Sequence, residues 1–325
     1  MNRRLFLQSV AMSVAWTSLC QAQKPDRIPV VGILRAESDG QLAIEMDAYR
    51  EALRRLGYIE GKSIRLEYRL VDSSPNSFEI AARQLVQSNV TIIFALGTPA
   101  ALAARKATKT ISILLYVADP IGTGLVSSLA RPGENITGVA TMAEETGAKR
   151  IELLKELLPR ATRFGVLANP DNPATARQLE VMQSAAKMLN VKLQVLEIRR
   201  VGDLERVLSA SSNQAIEGLV TISDPILHGN QKLLAQHALK KKIPSITAFR
   251  GYAQAGGLIS YGPDYRELLR RCAVYTDKIL KGIRPADLPV EQPTKFELVL
   301  NQKTAKAIGL AIPESVLLRV DEVIR

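Results

Sequence analysis

Apolar and polar positions along the chain change period in a regular way. From Ile28 onward, short runs rich in Val, Ile and Leu alternate with longer stretches in which apolar residues return every three or four positions. The short runs predict strands at Val30 to Leu34, Ile64 to Leu70, Thr91 to Leu96 and Ile111 to Val117. The longer stretches predict helices at Gln41 to Leu56, Asn76 to Gln87 and Pro99 to Ala107. Such alternation is what a parallel sheet covered by crossover helices requires.

After Asn135-Ile136-Thr137-Gly138-Val139 the pattern begins again. A helix is expected near Glu145 to Leu158, with strands near Arg163 to Ala168, Lys192 to Ile198, Gly218 to Ile222 and Ser245 to Ala248. The fold class is therefore α/β, with two Rossmann-like lobes: lobe 1 over residues 23–140 and lobe 2 over residues 141–260. Asn135 to Thr141 contains no long flexible linker and reads as one of several strands crossing between apposed lobes, so a hinge is expected there. Another crossing is expected near Leu258 to Gly262. Tyr265 to Lys281 reads as an amphipathic helix. A link carrying Pro285, Pro289 and Pro293 then leads to a strand, Phe296 to Leu300, and a last helix from Lys303. Residues 261–325 thus form a crossover helix and a C-terminal segment shared between the lobes, and the pattern does not assign that tail to either one.

The first residues follow other rules. Arg3 and Arg4 precede an uncharged run from Leu5 to Leu19, and small and polar residues lead on to Ala22. Charged start, short apolar run and small-residue site are the order of a removable signal peptide, and the run is too short to cross a hydrocarbon core of roughly 30 Å. Residues 1–22 are expected to be cleaved, leaving a periplasmic protein. The Arg3-Arg4 pair followed by Leu5-Phe6-Leu7 also resembles a twin-arginine signal. Cleavage would remove Cys20 and leave Cys272 alone, so no intramolecular disulfide is expected.

Charge changes this picture little. The net charge of +11 falls to +9 without Arg3 and Arg4, the only charged residues of the leader. The Lys240-Lys241-Lys242 triplet suits a helix C-terminus, and the other basic residues are interspersed with acids, which argues against nucleic-acid binding. Catalytic chemistry finds no foothold either. The chain has two histidines, His228 and His237, and no Cys/His/carboxylate cluster at metal-ligand spacing, so neither metal nor cofactor is expected. Gly122-Thr123-Gly124 is a partial dinucleotide fingerprint with Ser127 in place of the third glycine, and it does not open the first strand–helix unit. Phosphate-loop and nucleophile-elbow motifs are absent from the sequence.

Candidate binding residues lie just after the strands, because open parallel sheets bind ligands at the carboxyl ends of their strands. Thr98, in Gly97-Thr98-Pro99, is expected to cap a helix whose exposed amides could receive a carboxylate; a plain structural cap is the alternative. Asp224, in Ser223-Asp224-Pro225, is either a carboxylate for a ligand ammonium or an Asx-turn cap. Asp119, before Pro120, and Asn169, before Pro170, would face the same cleft, although Asp-Pro commonly starts a turn. Phe249 is an apolar wall or a core residue, and Arg35 a ligand contact or a solvated charge. His228 is expected on a helix surface.

These segments resemble the ABC-transporter substrate-binding proteins related to tryptophan- and tyrosine-binding periplasmic proteins, over nearly the whole chain after residue 22. The resemblance is carried by Val117 to Val126 (VADPIGTGLV), Leu129 to Gly138 (LARPGENITG), Leu153 to Pro159 (LLKELLP), Ser260 to Asp264 (SYGPD) and Pro285 to Glu297 (PADLPVEQPTKFE). It implies a type I periplasmic binding protein fold, with two lobes joined by three crossovers and a small-molecule ligand between them. It also implies an ABC permease with its cytoplasmic ATPase as partner, a monomeric state and no enzymatic activity. Thr98 matches a Ser/Thr position expected to touch ligand. Relatives that bind tryptophan tend to have Asp-Asn where this chain has Asp224-Pro225, so a side-chain amide is missing here. A sensory protein that presents solute to a membrane receptor on the same fold is the alternative reading.

Overall fold

The structure is a computed structural model that describes residues 28–37, 41–72, 74–211 and 216–325. The expected signal peptide lies outside the described residues, as does Cys20.

Lobe 1 is built from β1 (Val30–Ala36), α1 (Gln41–Arg55), β2 (Arg65–Val71), α2 (Pro75–Gln87), β3 (Ile92–Leu96), α3 (Thr98–Ala107), β4 (Ser112–Val117) and β5 (Ile136–Ala140). Its strands form one parallel sheet in the order β2-β1-β3-β4-β5. β3 and β5 are buried along their whole length and β1 and β4 nearly so, which is why they read as continuous apolar runs: helices cover both faces of the sheet.

The chain then enters lobe 2 with α4 (Ala143–Leu157), β6 (Arg163–Ala168), α5 (Thr175–Met188), β7 (Lys192–Glu197), α6 (Val201–Ser211) and β8 (Gly218–Thr221). Two short helices follow, α7 (Pro225–Gly229) and α8 (Gln231–Lys240), then β9 (Ser245–Thr247), α9 (Arg250–Gln254) and β10 (Ile259–Pro263). Next come α10 (Tyr265–Leu280), a 3-10 turn at Pro285–Asp287, β11 (Phe296–Asn301), α11 (Gln302–Ala307), α12 (Glu314–Leu317) and β12 (Glu322–Ile324). The second sheet runs β12-β11-β10-β9-β8-β6-β7 and is parallel except where β11 pairs antiparallel with β10.

The tail is divided between the lobes. α10 packs against α1, β4 and β5 of lobe 1, burying Leu268, Leu269, Cys272, Ala273, Tyr275 and Ile279 on one stripe against Met46, Tyr49 and Leu53 of α1. Burial of each large apolar side chain on that stripe contributes roughly 1.5–3 kcal/mol. Tyr49 Oη and Thr276 Oγ1 share a hydrogen bond of 2.8 Å inside the interface. β11 and β12, by contrast, extend the sheet of lobe 2. The expected last helix is only a part of the tail, which closes on a strand.

Three crossings join the lobes, after β5, after β10 and between Glu291 and β11. The two sequence segments expected to cross are themselves sheet strands, and the crossings are the few residues beyond them. Met142, at the first crossing, takes a left-handed backbone (φ 52°, ψ 48°). Arg150 of α4 fastens lobe 2 beneath these crossings. It is fully buried, and its guanidinium donates to Thr146 Oγ1 (3.3 Å), the Thr221 carbonyl (3.3 Å) and the Tyr261 carbonyl (3.4 Å). No carboxylate pairs with it among the described residues, and burial pulls its pKa down to about 10.

Candidate ligand-binding cleft

The C-terminal ends of β1, β3 and β4 face the loops after β6 and β8 across a cleft. Its space, open mouth included, is about 590 Å³. The lobes are closed on one another: α7 of lobe 2 packs against β1 and α1 of lobe 1.

On the lobe 1 side, Gly97 leaves β3 with φ +98° and caps α3 through its carbonyl, which accepts from Ala101 N–H at 3.1 Å. The cap therefore sits one residue earlier than expected. Glycine adopts this positive φ without a Cβ penalty, and its carbonyl supplies the first helical bond. The Thr98 hydroxyl is then released from capping and makes no hydrogen bond to any described residue, although Thr98 is only 2% exposed and lines the cleft. Pro99 in the next position has no N–H, so on the cleft side the first turn of α3 presents Thr98 with its backbone amide and hydroxyl. Arg35, at the end of β1, is 6% exposed and also lines the cleft, so it is not a solvated charge.

On the lobe 2 side, Asp224 caps α7 and lines the cleft at once. Its Oδ1 accepts from Ile226 N–H at 2.8 Å, while Oδ2 accepts from Asn172 Nδ2 at 2.9 Å and Asn169 Nδ2 at 3.2 Å. Burial raises the Asp224 pKa, and these donors oppose the rise by favouring the ionised form. The loop is held from behind by fully buried Gln178, which accepts from Ser223 N–H at 2.8 Å and donates to the Ser223 carbonyl at 3.2 Å. A carboxylate whose protein partners are all donors is fixed in place and remains attractive to a cation.

The wall between these polar ends is aromatic. The His228 and Phe249 rings stack face to face, 4.1 Å between centroids and 2° between planes. Tyr265 lies 5.1 Å from Phe249 and 5.5 Å from His228, and Tyr116 stands 6.2 Å from Tyr265. His228 is thus not a helix-surface residue; at 7% exposure it lies one turn beyond Asp224 on α7, facing the cleft.

Of the residues singled out in the sequence, Arg35, Thr98, Asp224 and Phe249 line this cleft, and Asp119 and Asn169 do not. Asp119 Oδ1 accepts Gly122 N–H at 2.7 Å and closes a turn, so its carboxylate is spent on backbone. Asn169 stands behind Asp224; its neighbour Asn172 reaches the cleft instead. Tyr116, Thr141, Ser223, His228 and Tyr265 also line it.

Residues 30–324 match the sequence profile of the family described as ABC transporter substrate binding protein. The chain belongs to that family. It is a substrate-binding protein rather than an enzyme. A tyrosine-binding protein of Clostridioides difficile is 28% identical over 290 residues, covering 86% of this chain and 81% of the relative. Among solved structures, a conserved domain protein from Vibrio cholerae is 28% identical, with a TM-score of 0.84 over 91% of this chain and 100% of that one. A domain from Streptococcus pneumonia in complex with L-Trp, 23% identical, has the same fold, with a TM-score of 0.84 over 92% of this chain and 100% of that one. The ligand-free, open structure of a substrate binding protein with adhesive properties from Clostridium difficile is 26% identical, with a TM-score of 0.62 over 91% of this chain and 99% of that one.

Three contributors to this substrate-binding protein's cleft had a signal in the sequence. Asn172 falls three residues after Asn169 in one polar loop, and His228 falls four after Asp224, the spacing that places two side chains on one helix face. Tyr265 follows the Asp264 cap of α10, at the helix end nearest the crossing.

Proposed function

We propose that this protein captures a small zwitterion outside the cytoplasm, aromatic amino acids being the first candidates, and delivers it to an ABC permease driven by a cytoplasmic ATPase. The observation that carries the reading is the division of charge across the cleft. Lobe 1 contributes Arg35 and the first turn of α3 with the Thr98 hydroxyl; lobe 2 contributes the Asp224 carboxylate. An amino acid whose carboxylate meets the first set and whose ammonium meets the second bridges the lobes. Only the closed state satisfies both ends, so binding energy favours closure. The stacked His228–Phe249 pair and Tyr265 offer a surface on which an aromatic side chain gains area burial and ring contact. With proline at 225, the side chain would be held by packing more than by an amide at that position. The tyrosine-binding relative supports the same ligand class. Delivery to a permease follows the family, and export follows the leader-like residues 1–22.

Purification from the periplasm, release of bound solute by denaturation and mass spectrometry identify what the cleft holds. An aromatic amino acid in near-equimolar amount, with L-tyrosine or L-tryptophan rebinding by calorimetry, is the expected result. Recovery of a sugar or a dicarboxylate, with no heat on adding any amino acid, would overturn it.

A further inference from the structure

Glu144 stands in the first turn of α4, two residues beyond Met142 and its left-handed backbone at the first crossing. Its Oε1 is buried and has no hydrogen-bond partner among the described residues. Val117 pairs with Ala140, so the β4–β5 loop carrying Asp119 and the crossing that leads to Glu144 leave the lobe 1 sheet side by side. A carboxylate on each lobe therefore follows one of two adjacent strand ends at the first crossing. The other charges acting on Glu144 are Glu145 beside it, Arg177 on α5 and Arg150 farther along α4. Arg177 is engaged with Glu180 at 2.7 Å and Arg150 with backbone carbonyls, so neither guanidinium hydrogen-bonds to Glu144. Burial, with Asp119 and Glu145 adding their like charge, pushes the Glu144 carboxyl up to about 7, against its own backbone N–H and Arg177. Nothing in solute recognition uses this group.

We propose that closure of the lobes takes up one proton at Glu144, so that solute capture is pH-dependent. The inference rests on the reading that solute closes the lobes. Rotation about the crossing separates Glu144 from the Asp119 loop and admits water, returning the carboxyl toward the ordinary carboxylate range; closing buries it again beside a like charge. The closed state then has the higher pKa. Its advantage is fully present below the pKa of the open state and is lost as pH rises through about 7. Affinity should fall about tenfold per pH unit between roughly pH 5 and 7 and level off above, as the uptake of one proton requires.

Calorimetry with L-tyrosine from pH 5 to 8.5, in buffers of different ionisation enthalpy, reads affinity and proton uptake together. Wild type is expected to take up close to one proton at pH 6, while Glu144→Gln takes up none and keeps a flat affinity profile. Unchanged proton uptake in Glu144→Gln overturns the proposal. If L-tyrosine does not bind at all, it is the ligand assignment that has failed, and the ligand-free protein decides: solution scattering should show a larger radius of gyration at pH 8.5 than at pH 5.5 for wild type but not for Glu144→Gln. The same pH response in both proteins, or none in either, also overturns it.

Discussion

Gly97 of lobe 1 and Pro225 of lobe 2 meet so closely that a Cβ built on Gly97 would stand 2.9 Å from Pro225 Cγ. Real Cβ atoms do not approach other carbons that nearly, so the closed cleft requires a residue without one at 97. The φ of +98° asks for glycine independently. Gly97→Ala is expected to cost about 1–2 kcal/mol of lobe 1 stability from backbone strain. Its effect on solute affinity should be larger, more than tenfold, because the added methyl opposes closure. Pairing it with Pro225→Ala should recover part of that loss. A double variant no better than Gly97→Ala alone would remove this contact from the account of closure.

Asp224 accepts only from N–H donors of the protein, which leaves its charge for a cationic ligand group. Wild type should bind L-tyrosine more than tenfold tighter than 3-(4-hydroxyphenyl)propanoate, which lacks the ammonium, because an unpaired buried charge costs about 2–5 kcal/mol. Asp224→Asn should abolish that preference and also lower lobe 2 stability, since its amide opposes Asn169 and Asn172 with donors or Ile226 N–H with a donor. Calorimetry on the two compounds separates recognition from folding. A preference that survives the substitution would make Asp224 a cap and nothing more.

Thr98 has been freed of capping by Gly97, so its hydroxyl can be removed without touching the helix start. Thr98→Val keeps the side-chain shape and removes a hydroxyl without a partner among the described residues, so it should not lower stability. It should weaken L-tyrosine binding about tenfold or more, as loss of a hydrogen bond to a charged group does. Equal affinities would return Thr98 to packing alone.

Arg150→Lys keeps the buried charge but gives up the reach of the guanidinium to the Thr221 and Tyr261 carbonyls and Thr146. Leaving buried acceptors unpaired should lower lobe 2 stability by about 1–3 kcal/mol in urea unfolding. A midpoint equal to wild type would show that water or a shift in the chain replaces those bonds.

The alternation of apolar strands and amphipathic helices was legible because the central strands of each sheet are covered on both faces and are therefore predominantly apolar. The distribution of the tail was not. α10 shows an apolar stripe that any lobe could accept, and only long-range pairing of β11 with β10 fixes the strand that follows. Arg35, Thr98, Asp224 and Phe249 could be marked because position after a strand is a local property. Asp119 carries the same mark and turns back on Gly122, a choice made by loop geometry that composition does not record. His228 was misread because its four-residue spacing from Asp224 shows which face of α7 it shares but not that this face turns into the cleft.

The return of α10 to lobe 1 has a consequence for synthesis. The face of α1 carrying Met46, Tyr49 and Leu53 is finished only by residues 265–280, and the sheet of lobe 2 only by residues 322–324. Neither half is a contiguous stretch: lobe 1 waits for α10, after most of lobe 2 has been made, and lobe 2 waits for β11 and β12. The apolar side of the first half stays bare until more than four-fifths of the chain has been translated. Burial of the α1 face therefore has a defined moment, the arrival of the stripe of α10 that ends at Leu280.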